Sequence, residues 1–187
     1  MNKKLKVGIV GATGMVGQRF ITLLCDHPYF EISALAASPR SAGMPYGDAV
    51  SGRWKLKSPL PESIASMTVT DASDIDSIKS KCDFVFCAVD MPKDQIRELE
   101  TSYAKAEIPV VSNNSAWRWG DDVPMVIPEI NDSHIDIIPS QKKRLETKKG
   151  FIAVKPNCSI QSYVPALTAL YDLKPCLLYT SDAADDK

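Results

Sequence analysis

The chain has 187 residues, a formal net charge of −1 and 44% hydrophobic residues, which suits one globular domain, or one domain and part of another. A near-neutral balance leaves no electrostatic footprint for nucleic acid or an anionic membrane surface. No run of about twenty apolar residues exists, which argues against a transmembrane helix. The apolar stretch at 7–10 is too short for a signal peptide and runs straight into glycines, so a cytoplasmic protein is expected.

In chain order, residues 6–10 predict a short buried strand and residues 15–25 a helix with Val16, Phe20, Leu23 and Leu24 along one side. A second strand is expected at 30–36. Residues 38–57, rich in Gly, Ser and Pro, predict a loop with at most short ordered pieces. A strand at 67–70 and a short helix at 74–79 follow. The continuous apolar run at 84–89 predicts a strand covered on both faces. A helix with Pro at its start is expected at 92–105, and a strand at 109–112. Strands alternating with helices predict an α/β fold with a doubly wound parallel sheet, a Rossmann-like domain over residues 1–130. Residues 131–175 are expected to begin an α+β catalytic and dimerisation domain. They hold a strand at 150–154, a turn at 155–159, and a helix from Ser159 to about Leu173 that Pro165 either kinks or delays. The segment after Asn131 is expected to lack its partner strands and to expose apolar surface, which invites aggregation. Residues 176–187 break the apolar pattern and resemble a translated transposase adapter from sequencing libraries. Native sequence is therefore expected to stop near Pro175, the other possibility being a genuine acidic tail.

Gly11, Ala12, Thr13, Gly14, Met15, Val16 and Gly17 join the first strand to the first helix. In this G-x-x-G-x-x-G spacing one glycine permits a tight turn, one lets backbone approach a pyrophosphate, and one lets helix pack on strand. The helix N-terminus offers N–H groups and partial positive charge to the phosphates, and Thr13 a further hydrogen bond. A glycine turn without ligand is the bland alternative, and the strand–turn–helix context argues against it. The second strand ends without the acidic residue that grips ribose hydroxyls in many NAD enzymes. Ser38, Arg40 and Ser41 stand there instead and suit a 2′-phosphate, which predicts NADP as cofactor.

Of the five cysteines, none forms a C-x-x-C pair and the number is odd, which argues against a disulfide framework or zinc site. Cys158 differs from the others by its place between a strand and a helix, where the helix dipole favours the reactive thiolate. Asn157 beside it can orient substrate or contact an oxyanion. The polar segment at 112–119 follows a strand of the cofactor sheet. In it Arg118 can bind a carboxylate or phosphate, the alternative being a surface Arg packed on Trp117 or Trp119. His27 and His134 carry no base pattern, and no metal-ligand cluster is visible.

GIVGATGMVGQRF, ASPRSAG, SNNSAWRWGDDVPMVIPEIN and KPNCSIQSYVPAL occur in the order and spacing of aspartate-semialdehyde dehydrogenases, closest in wording to the archaeal and fungal branch. The resemblance runs from Lys6 to about Pro175. It implies an NADP-dependent oxidoreductase interconverting L-aspartate 4-semialdehyde and 4-aspartyl phosphate through a cysteine thioester, in lysine, threonine and methionine biosynthesis. On matching positions it implies Cys158 as nucleophile with Asn157 beside it, Arg118 binding phosphate with Asn114 close by, and residues 11–17 cradling the pyrophosphate. The family's catalytic His, a substrate Arg, and its Gln and Glu lie further along the chain, so this N-terminal part is expected not to turn over. The parent is expected to be a homodimer or homotetramer acting on a small-molecule substrate and inorganic phosphate. N-acetyl-glutamyl-phosphate reductase is the neighbouring alternative, which Ser159 after the cysteine disfavours. A non-catalytic NADP-binding module with Cys158 as a structural thiol is the other.

Overall fold

The structure is a computed structural model, and it describes residues 3–173. The expected stop near Pro175 and the stretch 176–187 lie outside the described residues. Six strands form one wholly parallel sheet: β1 (Leu5–Val10), β2 (Phe30–Ala37), β3 (Val69–Asp71), β4 (Phe84–Cys87), β5 (Val110–Ser112) and β6 (Ile152–Val154). Their order is β3-β2-β1-β4-β5-β6. The direction of winding reverses between β1 and β4, and in such sheets that crevice receives ligands at the carboxyl ends of the strands.

Helices cover both faces. They are α1 (Met15–Leu24), α2 (Tyr46–Ala49), α3 (Glu62–Ala65), α4 (Ile75–Lys79), α5 (Lys93–Lys105), α6 (Pro128–Asn131), α7 (Ile138–Leu145) and α8 (Cys158–Leu173), with a 3₁₀ turn at Asp132–Ile137. Side chains alternate across each strand, and two cores result. Val7, Ile9, Leu35 and Val69 pack with Ile21 and Leu24 of α1 and with Tyr46. Val10, Val85, Cys87, Val110 and Ile152 pack with Tyr103 and Ala104 of α5 and Leu145 of α7. On the first side Phe20 stacks on Phe86 at 4.7 Å between centroids, and Phe84 meets both Phe30 and Phe86 edge-on.

Three findings depart from the sequence expectations. First, β6 does not lack a partner: Val110, Val111 and Ser112 of β5 pair with Ile152, Ala153 and Val154. It lies past residue 130 yet is the sixth strand of the same sheet. Second, a helical stretch from Pro128 to Leu145 fills a segment for which no helix was expected. Gln141, fully buried on α7, explains its docking. Its Nε2 donates to the Asp122 and Ile152 carbonyls, and its Oε1 accepts from the Ile152 N–H at 2.6 Å. Third, α8 begins at Cys158 and runs through Pro165, so the proline does not delay it. The expected apolar exposure falls on α8, where Ile160, Tyr163, Leu170, Tyr171 and Leu173 face solvent.

Candidate active site

A cleft of about 400 Å³ opens at the reversal point between β1 and β4. Gly11, Thr13 and Gly14 line it from the turn after β1, and Ala37, Ser38, Pro39 and Arg40 from the end of β2. Gly11 has φ +88°, and a Cβ there would collide with the Ala88 carbonyl. A Cβ on Gly17 would collide with the Gly11 carbonyl, which is how α1 comes so close to the turn. At Gly14 an added Cβ meets only the Gly11 oxygen, at 3.4 Å. Gly14 therefore serves whatever approaches from the cleft, whereas Gly11 and Gly17 serve the fold. No side chain caps α1, which leaves its first N–H groups to a ligand.

Of the residues expected to contact a cofactor, Gly11, Thr13, Gly14, Ser38 and Arg40 line this cleft. Ala12, Gly17 and Ser41 are buried behind it, and Met15 and Val16 are exposed on α1 outside its lining. The sequence reading missed the opposite wall: Asp71 at the end of β3 with Ala72 and Ser73 after it, and Ala88, Val89, Asp90 and Met91 after β4. The rule that parallel sheets bind at strand carboxyl ends is the signal that could have found them. Two buried tyrosines brace the walls. Tyr46 donates to the Ala12 carbonyl at 2.7 Å, and Tyr103 to the Ala72 carbonyl at 2.7 Å. Burial pushes both phenols well above their ordinary range, so they remain donors. Gln18 ties the long loop to the glycine turn, donating to the Thr13 and Arg53 carbonyls and accepting from the Lys55 N–H.

Cys158 is the exposed first residue of α8. Asn157 caps this helix, since its Oδ1 accepts from the Ser159 N–H at 2.8 Å and lies 3.6 Å from the Cys158 thiol. Arg118 is held by backbone: Nε donates to the Lys155 carbonyl at 3.1 Å and Nη2 to the Asn113 carbonyl at 3.4 Å. The other three of the guanidinium's five N–H groups are left for a ligand. The stacking alternative for this arginine is not what forms, because Arg97 and Arg144 lie over Trp117 and Trp119 is exposed. The structure thus joins Arg118, Asn157 and Cys158 at the ends of β5 and β6. Lys155 joins them, a residue that sequence reasoning did not single out. Burial, then the Arg118 charge, hold its ammonium below the ordinary lysine range, with the Cys158 thiolate pulling the other way.

Asn114 lies beneath this group and faces inward. Its Nδ2 donates to Glu100 Oε1 at 2.9 Å, and Ser112 Oγ donates to the same oxygen at 2.6 Å. Glu100 is fully buried on α5, and burial raises its carboxyl above the usual range against the pull of these donors. One signal was available: Glu100 stands midway between Ile96 and Ala104, on the helix's buried stripe. Neither histidine is free at its Nδ1. That of His134 meets the Met125 backbone, and that of His27 accepts from the Tyr29 N–H. Among the described residues no group of three or more His, Cys, Asp or Glu could hold a metal ion, and no helix is long and apolar enough to cross a membrane.

A family model described as semialdehyde dehydrogenase, NAD binding domain, matches residues 6–138. Aspartate-semialdehyde dehydrogenase of Aspergillus fumigatus is 44% identical over 167 residues, covering 89% of this chain and 44% of that protein. The enzyme of the same name from Methanothermobacter thermautotrophicus is 45% identical over 170 residues, covering 90% and 46%. The crystal structure of aspartate semialdehyde dehydrogenase with NADP from Candida albicans superposes with a TM-score of 0.79 at 40% identity, covering 91% of this chain and 48% of that one. The chain spans a little under half the length of these relatives.

Proposed function

The chain belongs to the semialdehyde dehydrogenase family by its NAD-binding domain, and from that premise we propose that it is the cofactor-binding part of an NADP-dependent aspartate-semialdehyde dehydrogenase. The observation that carries this reading is the hydrogen bond from Arg118 to the Lys155 carbonyl. It fixes an anion-binding guanidinium three residues from an exposed thiol at a helix N-terminus, on the same sheet as the glycine cleft.

The cleft fits the cofactor. Gly14 leaves room for a pyrophosphate, and the α1 N-terminus faces the turn. Ser38 and Arg40 sit where a 2′-phosphate needs donors and a cation. When bound, NADP takes up or returns the hydride. Cys158 acts first, as nucleophile, its thiolate attacking the aldehyde carbon of L-aspartate 4-semialdehyde before that carbon gives up its hydride. Oxidation at that carbon leaves it as a thioester on Cys158. Arg118 binds inorganic phosphate, whose oxygen attacks the same carbon, and Cys158 leaves as thiolate while 4-aspartyl phosphate forms. In the cell the reaction runs in reverse, toward lysine, threonine and methionine. Asn157 orients the nucleophile by capping α8, and Asn114 holds the 112–118 loop from beneath rather than touching phosphate.

The cofactor domain includes α7 and β6, past the expected boundary at residue 130, so a catalytic domain of the parent enzyme would begin no earlier than the turn after β6. The parent enzyme is a cytoplasmic homodimer or homotetramer that binds neither nucleic acid nor membrane. Full-length enzyme should reduce NADP with aspartate 4-semialdehyde only when phosphate is present, and Cys158→Ala should abolish that rate. Preference for N-acetyl-glutamate semialdehyde would move the assignment to the neighbouring reductase.

A further inference from the structure

The 112–118 loop, which carries Arg118, rests on α5 at two points. Arg97 Nε donates to the Ala116 carbonyl at 2.8 Å, and its guanidinium lies over the Trp117 ring. Glu100 follows three residues later, on the same side of the helix. Its Oε1 accepts from Ser112 Oγ at 2.6 Å and from Asn114 Nδ2 at 2.9 Å. The Asn114 N–H donates in turn to Ser112 Oγ at 3.0 Å. The neighbouring Asn113 carbonyl accepts from Arg118 Nη2. Whatever holds Asn114 therefore reaches Arg118 through one peptide.

For the core alone this is a poor arrangement. Glu100 is fully buried, and its Oε2 has no partner. Among the described residues the one other buried side-chain nitrogen or oxygen without a partner is Trp117 Nε1, in the same loop. The one ion pair among them is Arg144–Asp122, which leaves Glu100 without a cation. A carboxyl so placed costs stability, and apolar groups in place of it and its donors would be neutral or better. Direction is what the carboxyl adds: one oxygen fixes the end of β5 and the loop's amide together.

We propose that Glu100 is a positioning residue for Arg118: with Arg97 it clamps the 112–118 loop to α5 and so sets where the guanidinium points. This rests on the reading of Arg118 and Cys158 above. Glu100 touches neither substrate nor cofactor and acts through Asn114 and the Asn113 carbonyl.

Phosphate held by Arg118 should shield Cys158, so the test is alkylation of Cys158 by iodoacetamide in this chain. It is read by peptide mass at increasing inorganic phosphate, with chloride at matched ionic strength as control. In wild type the rate should fall with phosphate and not with chloride. Glu100→Leu should need roughly three- to tenfold more phosphate for the same protection, the scale of one hydrogen bond. Glu100→Gln keeps an acceptor for Ser112 and Asn114 and should behave as wild type. Ile96→Val trims the core under the same helix and should leave the phosphate dependence alone. Asn114→Ser cuts the link from the loop side. Combined with Glu100→Leu it should shift the dependence no further than either change alone, because both remove one interaction. Near-ultraviolet circular dichroism checks that each variant folds. Where Glu100→Leu does not, Glu100→Asp, one methylene short of the loop, carries the same prediction. Wild-type phosphate dependence in a folded Glu100→Leu or Glu100→Asp chain overturns the clamp and leaves the Arg118 reading standing. A shift in Asn114→Ser without one in Glu100→Leu also overturns it, since Asn114 would then meet phosphate directly. No phosphate protection in wild type overturns both.

Discussion

The three glycines of the first turn have the same side chain and different duties, and substitution separates them. At Gly11 a β-carbon meets the Ala88 carbonyl and the φ is +88°, and at Gly17 it meets backbone of the same turn. Gly11→Ala and Gly17→Ala should each destabilise the fold by about 2 kcal/mol or more, the scale of overpacking and backbone strain. Gly14→Ala has an open path at 3.4 Å. It should melt near wild type yet bind NADP about tenfold more weakly, because its methyl occupies the pyrophosphate approach. Melting curves and calorimetric titration separate the cases, and a Gly14→Ala chain with wild-type affinity would remove the phosphate from this turn. Glu100 makes the converse point about a single buried charge. Burial raises its carboxyl, so the folded chain holds that proton to higher pH than the unfolded chain does. Between the two values the unfolded state binds fewer protons, and stability falls as pH rises through the raised value. Glu100→Gln still accepts from Ser112 and Asn114 and cannot ionise. Its urea midpoint should exceed wild type at pH 8 and match it at pH 4.

Among the elements, those legible in the sequence were those whose signal is local. The strands at 5–10, 30–37 and 84–87 read as apolar runs, and α5 as a helix opened by Pro92, because burial writes its period directly into neighbouring residues. What stayed hidden was non-local. That Ile152–Val154 would pair with Val110–Ser112 follows from no local pattern. Neither does the burial of Gln141, whose polar side chain conceals the inner face of α7. The site divided the same way. Cys158, Asn157 and Arg118 stood out by motif, whereas Asp71, Ser73 and Lys155 join it only once strands β3 to β6 lie side by side. The clasp between α5 and β6 is a further case. Glu107 follows α5 with φ 69°, and its carboxylate accepts from the N–H groups of Lys148, Lys149 and Gly150. Those bonds pull its pKa down to about 2. A depressed carboxyl stabilises the fold above its unfolded value of 4.5 and loses that contribution as pH falls toward about 2. Glu107→Gln should therefore flatten the acid limb of stability between those values and lower stability at pH 7. An acid limb unchanged by the substitution would show that the clasp does not hold β6 to α5.

For the whole molecule, the cleft lies where the two halves of the sheet meet, so a ligand in it contacts the ends of β1, β2, β3 and β4 together. Such a ligand binds the folded chain and not the unfolded one, and its binding energy adds to stability. At a hundredfold excess over Kd the gain is about 2.7 kcal/mol, which for a chain of this size raises Tm by roughly 5–11 °C. NADP should give such a rise and NAD a smaller one at equal concentration, since Ser38 and Arg40 have no 2′-phosphate to hold in NAD. Arg40→Met removes a charge-assisted hydrogen bond worth about 1.5–3 kcal/mol. It should bring the NADP shift down toward the NAD shift and leave the NAD shift alone. Thermal melts of both chains with both nucleotides read all four values. If Arg40→Met lowered the two shifts equally, Arg40 would be supporting the cleft as a whole. If the wild-type shifts were equal from the start, the carboxyl end of β2 would be reading the ribose without its phosphate, and the chain would not discriminate NADP from NAD.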